Sequence, residues 1–411
     1  MWLRIRRFLA AACLAGGGAL AAATAGAAAV DDVWVPAGPL PARPDAPVFA
    51  LAADPAGGGR LLAGTATGAV LRSADGGATW SAARPVLGAA VAALAFDPAR
   101  PGVALAGTRG DGVWRSGDAG ATWQREPGTE SRTVRAFAFW RGAALAGTDQ
   151  GVLVGRDGGP WTPTGLAQVR VSALAATDDA TGPLLVAGGD ATQGGEALPV
   201  YVSGDGGRTW SPAASAGGST MVAALSAAGP LLMGTDAGLF ASADRGATWQ
   251  RLTGGGVLPA TDFSARAAAP RHPERLYVAS DGGGSDRGGL WSSSDGGAHF
   301  TALAPPQPEL TALVVSADDV PEVVVATFRP ADHAIAVWTY RDAVGEPAGT
   351  APSPVPSARP APSRPPAVAG RPATWRALLA APETPFLAVA AVCLAAVAAA
   401  LAAYVRRGRP R

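Results

Sequence analysis

The 411-residue sequence contains no lysine and no asparagine. Without lysine, no phosphate loop of the G-x-x-x-x-G-K-[ST] type can form, and without asparagine there is no N-glycosylation acceptor. Cysteine is nearly absent. Cys13 and Cys393 are the only two, each inside an apolar segment near one end, so the body between them has no disulfide and no thiolate chemistry. The three histidines, His272, His299 and His333, are scattered, and none makes an H-x-x-x-H or comparable metal pair. Charge is sparse as well: 33 arginines and 32 acids leave a net +1, without the basic footprint that nucleic-acid binding needs. What remains is 48% hydrophobic with 55 glycines and 36 prolines. That composition excludes wholesale disorder and a helical bundle, and it points to many turns. Arginine at every basic position, in an alanine-rich chain, matches a GC-rich bacterial coding sequence.

The two ends carry membrane signals. Residues 1–29 have the form of a signal peptide: Arg4, Arg6 and Arg7, an apolar run, then Ala27-Ala28-Ala29 as a small-residue cleavage site. Residues 386–405 are uncharged over 20 positions, enough for a transmembrane helix across a hydrocarbon core of about 30 Å. The basic tail 406–411 follows, with Arg406, Arg407, Arg409 and Arg411, and places the C-terminus in the cytoplasm. Between body and helix, 345–372 holds nine prolines in 28 positions and reads as a Pro-rich stalk. The expected localisation is therefore the cell membrane, single-pass, with the N-terminal bulk outside. The body, 33–342, holds 22 arginines against 28 acids, a net charge of −6.

One motif recurs through that body. Ser73-Ala74-Asp75-Gly76-Gly77-Ala78-Thr79-Trp80 returns with Asp118 and Trp123, with Asp205 and Trp210, and with Asp244 and Trp249. A weaker copy carries Asp295 and Phe300, with His299 at the threonine position, and a shortened one carries Asp157 and Trp161. Successive aspartates are separated by 43, 39, 48, 39 and 51 residues. Each copy closes a unit of short apolar runs broken by Gly, Pro and Asp turns, which predicts four strands per unit. Units of roughly 40–45 residues with four strands are the spacing of propeller blades. The units are 48–87, 91–130, 134–166, 171–215, 221–256, 263–304 and 310–342. The last lacks the motif and a closing strand, and Val33 to Gly38 supply a strand that would complete it and close the ring. The expected fold is all-β: a single β-propeller of seven four-stranded blades closed by an N-terminal strand, plus one C-terminal transmembrane helix.

The repeated motif resembles the Asp-box (BNR) repeat of sialidase-like and sortilin-like β-propellers, over roughly 33–342. Similar repeats occur in sialidases, xyloglucan-type glycoside hydrolases, the sortilin ectodomain and a photosystem II assembly factor. Physically, a short carboxylate such as Asp75 can accept backbone N–H groups of its own turn, Gly77 can take a conformation strained for other residues, and Trp80 offers an apolar face to a neighbouring blade. Copies spread around a ring suit a structural role, and the resemblance implies that these turns lie opposite the ligand face.

The candidate binding face is built from the turns between second and third strands: Arg109, Asp111, Asp149, Asp190, Glu196, Asp236, Asp281, Asp286, Arg287, Arg329, Asp332 and His333. The turns 188–199 and 280–289 are longer than the rest, as insertions on a binding face often are. No cofactor is expected; Gly282-Gly283-Gly284 between Asp281 and Asp286 offers Ca²⁺-type oxygen donors, but not at EF-hand spacing. A sialidase would need an arginine trio, a tyrosine nucleophile with its Glu partner, and an acid/base Asp. The body has only Tyr201, Tyr277 and Tyr340, none in a matching context. Phe328-Arg329-Pro330 lacks the Ile of the family's Phe-Arg-Ile-Pro element and falls in the last unit. The sequence therefore favours a surface-displayed module that binds an extracytoplasmic protein, peptide or glycan. A membrane-anchored glycoside hydrolase and an envelope assembly factor are the alternatives.

Overall fold

The computed structural model describes residues 32–343, apart from 42–45, 157–158, 190–199, 214–221, 227–230, 253–261, 282–287, 308 and 330–331. The signal peptide 1–29, the stalk 345–372, the transmembrane helix 386–405 and the tail 406–411 lie outside the described residues. Among the described residues no helix is long and apolar enough to cross a membrane.

Seven antiparallel four-stranded sheets make up the described chain. Blade 1 runs Val48–Ala53, Leu61–Thr65, Val70–Ser73 and Ser81–Ala82, in chain order from its inner to its outer strand. Blades 2 to 6 repeat this and begin at Val91, Val134, Val171, Val222 and Phe263. Blade 7 takes Leu310–Val315, Glu322–Arg329 and Ala334–Arg341 from the end of the body and Trp34–Pro36 from its start. Trp34 faces Tyr340 in that register, Pro36 faces Trp338, and the Trp34 and Tyr340 ring centroids lie 5.1 Å apart with the planes tilted by 36°. Each inner strand packs against the next around the ring, including Leu310–Val315 against Val48–Ala53. The ring is thus closed by the N-terminal strand, which leaves no sheet of the last blade short of an edge.

The second strand explains why the blades stack so closely. Leu61–Thr65 and Ala104–Thr108 are buried at every position, because a neighbouring blade covers each face. Such strands read as continuous small and apolar runs rather than alternating ones. Their fourth residue is glycine for a steric reason. A Cβ on Gly64 would lie 2.4 Å from Val91 of the next blade, and one on Gly107 would lie 2.7 Å from Val134. Gly147 and Gly188 meet Val171 and Val222 in the same way.

The core is consequently divided into wedges between adjacent blades. Leu62 and Val70 of blade 1 pack with Val91, Ala104 and Trp123 of blade 2, and Val48 and Leu71 pack with Val324 and Val337 of blade 7. Blades 6 and 7 share a further tie: Tyr277 Oη donates to Asp342, whose Oδ2 also takes Arg275 Nη1 at 2.5 Å. Burial and the neighbouring Asp342 push the Tyr277 hydroxyl well above its ordinary pKa, so it stays a donor.

Candidate functional site

The lower face carries the turns between third and fourth strands, and five described ones share one set of bonds. In blade 1, Ser73 Oγ donates to Asp75 Oδ1 at 2.7 Å and accepts Gly77 N at 2.8 Å. Asp75 Oδ1 accepts Thr79 N at 2.9 Å, and Oδ2 accepts Thr79 Oγ1 at 2.5 Å. Gly77 sits at φ +91°, where a side chain would be strained. Asp118, Asp205 and Asp244 reproduce these contacts with Thr122, Thr209 and Thr248. Asp295 uses the backbone and ring of His299 instead. Each carboxylate is therefore consumed by its own turn. The large ring that follows packs toward the preceding blade: Trp123 lies with Leu62, Trp210 with Leu145, Trp249 with Val186 and Phe300 with Leu239. Trp161 donates its Nε1 to Glu126 of blade 2 at 3.2 Å; Asp157 lies outside the described residues.

The upper face carries the sequence-derived binding candidates, and the described ones are engaged locally. Asp111 accepts Trp114 Nε1 at 3.2 Å and pairs with Arg125, both in its own blade. Asp149 Oδ1 accepts Thr133 N at 3.2 Å. Arg329 and Asp332 make two hydrogen bonds, at 2.9 and 2.7 Å, which hold the Asp332 carboxyl below its usual range. His333, at φ +56°, sets its ring edge-on to Phe328 at 5.9 Å. The backbone carbonyl of Asp236 accepts Asp262 N at 3.2 Å, and Asp281 follows the strand His272–Ser280 directly. Asp190, Glu196, Asp286 and Arg287 lie outside the described residues. Arg109 differs from the other candidates: its guanidinium carbon lies 4.8 Å above the centre of the Phe49 ring, and Phe49 belongs to the wall of the central channel.

That channel is where the blades converge, and sequence reasoning missed it. It is an open cavity of about 250 Å³ with wall residues from all seven blades. Pairing to the second strands places one residue of each blade at a common level. These are Leu51 opposite Ala63, Leu94 opposite Ala106, Phe137 opposite Ala146, Leu174 opposite Ala187, Leu225 opposite Met233, Arg266 opposite Val278 and Leu313 opposite Val325. Six of the seven are large and apolar; blade 6 alone has arginine. Two residues nearer the upper face, roughly 6–7 Å along the strand, the wall has Phe49, Ala92, Arg135, Ser172, Ser264 and Thr311. Among the described residues that line the wall, Arg135 and Arg266 are the charged ones. Arg266 keeps part of its surface open to the channel, yet the apolar surroundings lower its pKa to about 9, so it remains a cation at neutral pH. The signal was present in the sequence: the inner strands align as Val-x-Ala-Leu with few exceptions, and Phe263-Ser264-Ala265-Arg266 breaks the pattern at its last place.

The fold is therefore that of a seven-bladed β-propeller. No family model matches the chain, and no curated protein matches it. Among solved structures it is similar to one described as "YCF48 bound to D1 peptide", with a TM-score of 0.55 and 16% identity. The match covers 77% of this chain and 99% of that one. At that identity the likeness shows the fold.

Proposed function

We propose that this protein is a membrane-anchored, extracytoplasmic member of the Asp-box propellers that acts as a binding scaffold for a protein or peptide. One observation supports this reading most directly. The carboxylates repeated around the ring are spent inside their own turns, while the site where the blades converge is apolar and cationic. Two-carboxylate glycoside hydrolysis requires paired acids across a cleft, and no such pair stands among the described residues of the channel wall. The similar structure's own description records a bound peptide for that protein, which suits a peptide or protein partner here. A place as an assembly factor in the envelope is the narrower form of the same reading. The apolar segment 386–405, followed by arginines, would hold the propeller at the membrane, and the stalk 345–372 would space it from the surface.

The test is a proximity cross-linking experiment in a bacterial host that makes the full chain. A defined envelope protein captured by the wild type, and recaptured with purified components, is the expected result. Turnover of a sialoside or glucan by the purified full chain would replace the scaffold with an enzyme.

A further inference from the structure

The seam between blades 7 and 1 is where the ring closes, and one side chain there departs from the repeat. Glu322 opens the second strand of blade 7, three residues before Val325. Three residues before the matching Ala63, Ala106, Ala146, Ala187 and Val278, the other blades have Arg60, Val103, Ala143, Leu184 and Arg275. Among these described positions only blade 7 has a carboxylate. The half-buried Glu322 carboxyl sits against the blade 1 turn that holds Asp75: a Cβ on Gly76 would lie 3.2 Å from its Oε2. An open cavity of about 600 Å³ adjoins it.

The charged groups around that cavity come from three blades. On its own blade, Asp318 and Asp319 lie in the preceding turn, and Arg341 stands opposite Glu322 in the register. Blade 1 contributes Asp75, whose carboxylate is taken up by Thr79, and blade 6 contributes Arg271, which pairs with Asp319. Asp318 Oδ1 accepts Gly58 N of blade 1 at 3.2 Å, and the Asp319 carbonyl meets His272 Nε2 of blade 6 at 3.0 Å. The blade 7 turn is thus held from both sides, with Glu322 between it and the blade 1 turn. Burial raises the Glu322 carboxyl to about 7; Asp318 adds to the rise and Arg341 opposes it. The closed seam therefore favours the neutral acid, and closure weakens as pH rises from 4.5 toward 7.

We infer that Glu322 is a proton-operated latch on the seam that closes the ring. Protonated, it lies against the blade 1 turn and leaves the seam shut. Ionised, it is repelled by Asp318 and draws water through the adjoining cavity, which loosens residues 73–80 and 316–322. The latch belongs to the propeller itself and does not rest on the scaffold reading.

Hydrogen–deuterium exchange on the detergent-solubilised full chain tests it, corrected for the intrinsic pH dependence of amide exchange. Local opening of 73–80 and 316–322 should increase by about tenfold or more between about pH 5 and pH 8. The matching blade 2 turn, 116–123, is the internal reference. Its Asp118 is held down at about 2, so its opening should change by less than about threefold over the same range. Glu322→Gln keeps the shape of the side chain and removes its charge, and should bring the seam below that same limit. The variant retains His272, so a rise that survives in it assigns the response elsewhere and overturns the inference. Asp318→Asn removes the repelling charge and should shrink the rise several-fold. A wild-type rise at the seam below about threefold, or one matched by 116–123, also overturns the inference. Should Glu322→Gln fail to fold, Asp318→Asn decides in its place: a smaller rise supports the latch and an unchanged one overturns it.

Discussion

The lower turns and the channel wall both repeat around the ring, and they differ in how they treat repetition. Five described turns make the same hydrogen bonds around the same aspartate, and even the weak copy satisfies its carboxylate with His299. The channel wall repeats a leucine level and then breaks it with one arginine. A residue that recurs from blade to blade serves to fold the blade. A residue that one blade has, at a level where the others agree, is not required by the repeat. Repetition here marks structure, and its interruption marks where one blade differs from the rest.

The largest way to break the lower-turn half of that contrast is Trp123→Ala. Trp123 is buried between blades 1 and 2 and donates Nε1 to Gly120 O at 3.1 Å. Its removal should cost about 3–5 kcal/mol, read as a shift in the denaturant midpoint. A loss below about 1 kcal/mol would mean that the ring does not bind its blade to the next.

Ser116→Ala comes next. Its buried hydroxyl donates to Asp118 and accepts Gly120 N at 2.8 Å, so an unsatisfied amide remains; about 1–3 kcal/mol is expected from urea unfolding. The same turn predicts an acid limb. Partial burial pushes the Asp118 carboxyl up, but hydrogen bonds from Thr122 and Ser116 outweigh it and bring it down to about 2. A depressed folded-state pKa gives stability that is complete above the unfolded value near 3.8 and lost as pH falls toward 2. Asp244, held mainly by the Thr248 hydroxyl, also falls to about 2. Melting temperature should therefore drop between about pH 4 and pH 2, and Ser116→Ala should shallow that drop. An unchanged slope in the variant would separate the turn from the acid response.

Glu322, at the lower end of blade 7, supplies the opposite slope. Burial, with Asp318 nearby, raises its carboxyl from 4.5 to about 7. A raised carboxyl pKa means that ionisation disfavours the folded state, so stability declines as pH rises from 4.5 toward 7. Glu322→Gln should remove this decline, raising the melting temperature at pH 8 relative to wild type while changing it less at pH 5. Equal effects at both pH values would refute the assignment.

Arg266→Leu is the smallest expected change in stability and sharpens the channel half of the contrast. Replacing a half-buried arginine by leucine removes its desolvation cost together with its own contact, so stability should change by no more than about 1 kcal/mol. A destabilisation beyond about 1 kcal/mol, measured in urea, would show that the arginine holds the ring together and would return it to the structural class.

Much of this was legible in the linear chain. The motif spacing marked six blades, because most of these turns carry their own serine, aspartate, glycine and threonine within eight residues, and a seventh unit of strands without the motif completed the count. The closing strand was legible from a unit that lacked one. The candidate site was less so. The upper-face aspartates were selected because they are polar turn residues, and Asp111, Asp149 and Asp332 prove to be tied to partners close at hand. Arg135 and Arg266 passed unnoticed because a single charge on an apolar strand does not reveal which way its side chain faces.

The division follows from the range of the forces. Turn hydrogen bonds and strand patterning act over a few residues, so the amino-acid order alone determined the blade, its repetition and the closure of the ring. Only the tertiary structure decided that Arg135 and Arg266, 131 residues apart in sequence, line the same cavity. Closing seven sheets around an axis brings their inner strands within reach of one another, and no local pattern encodes that meeting.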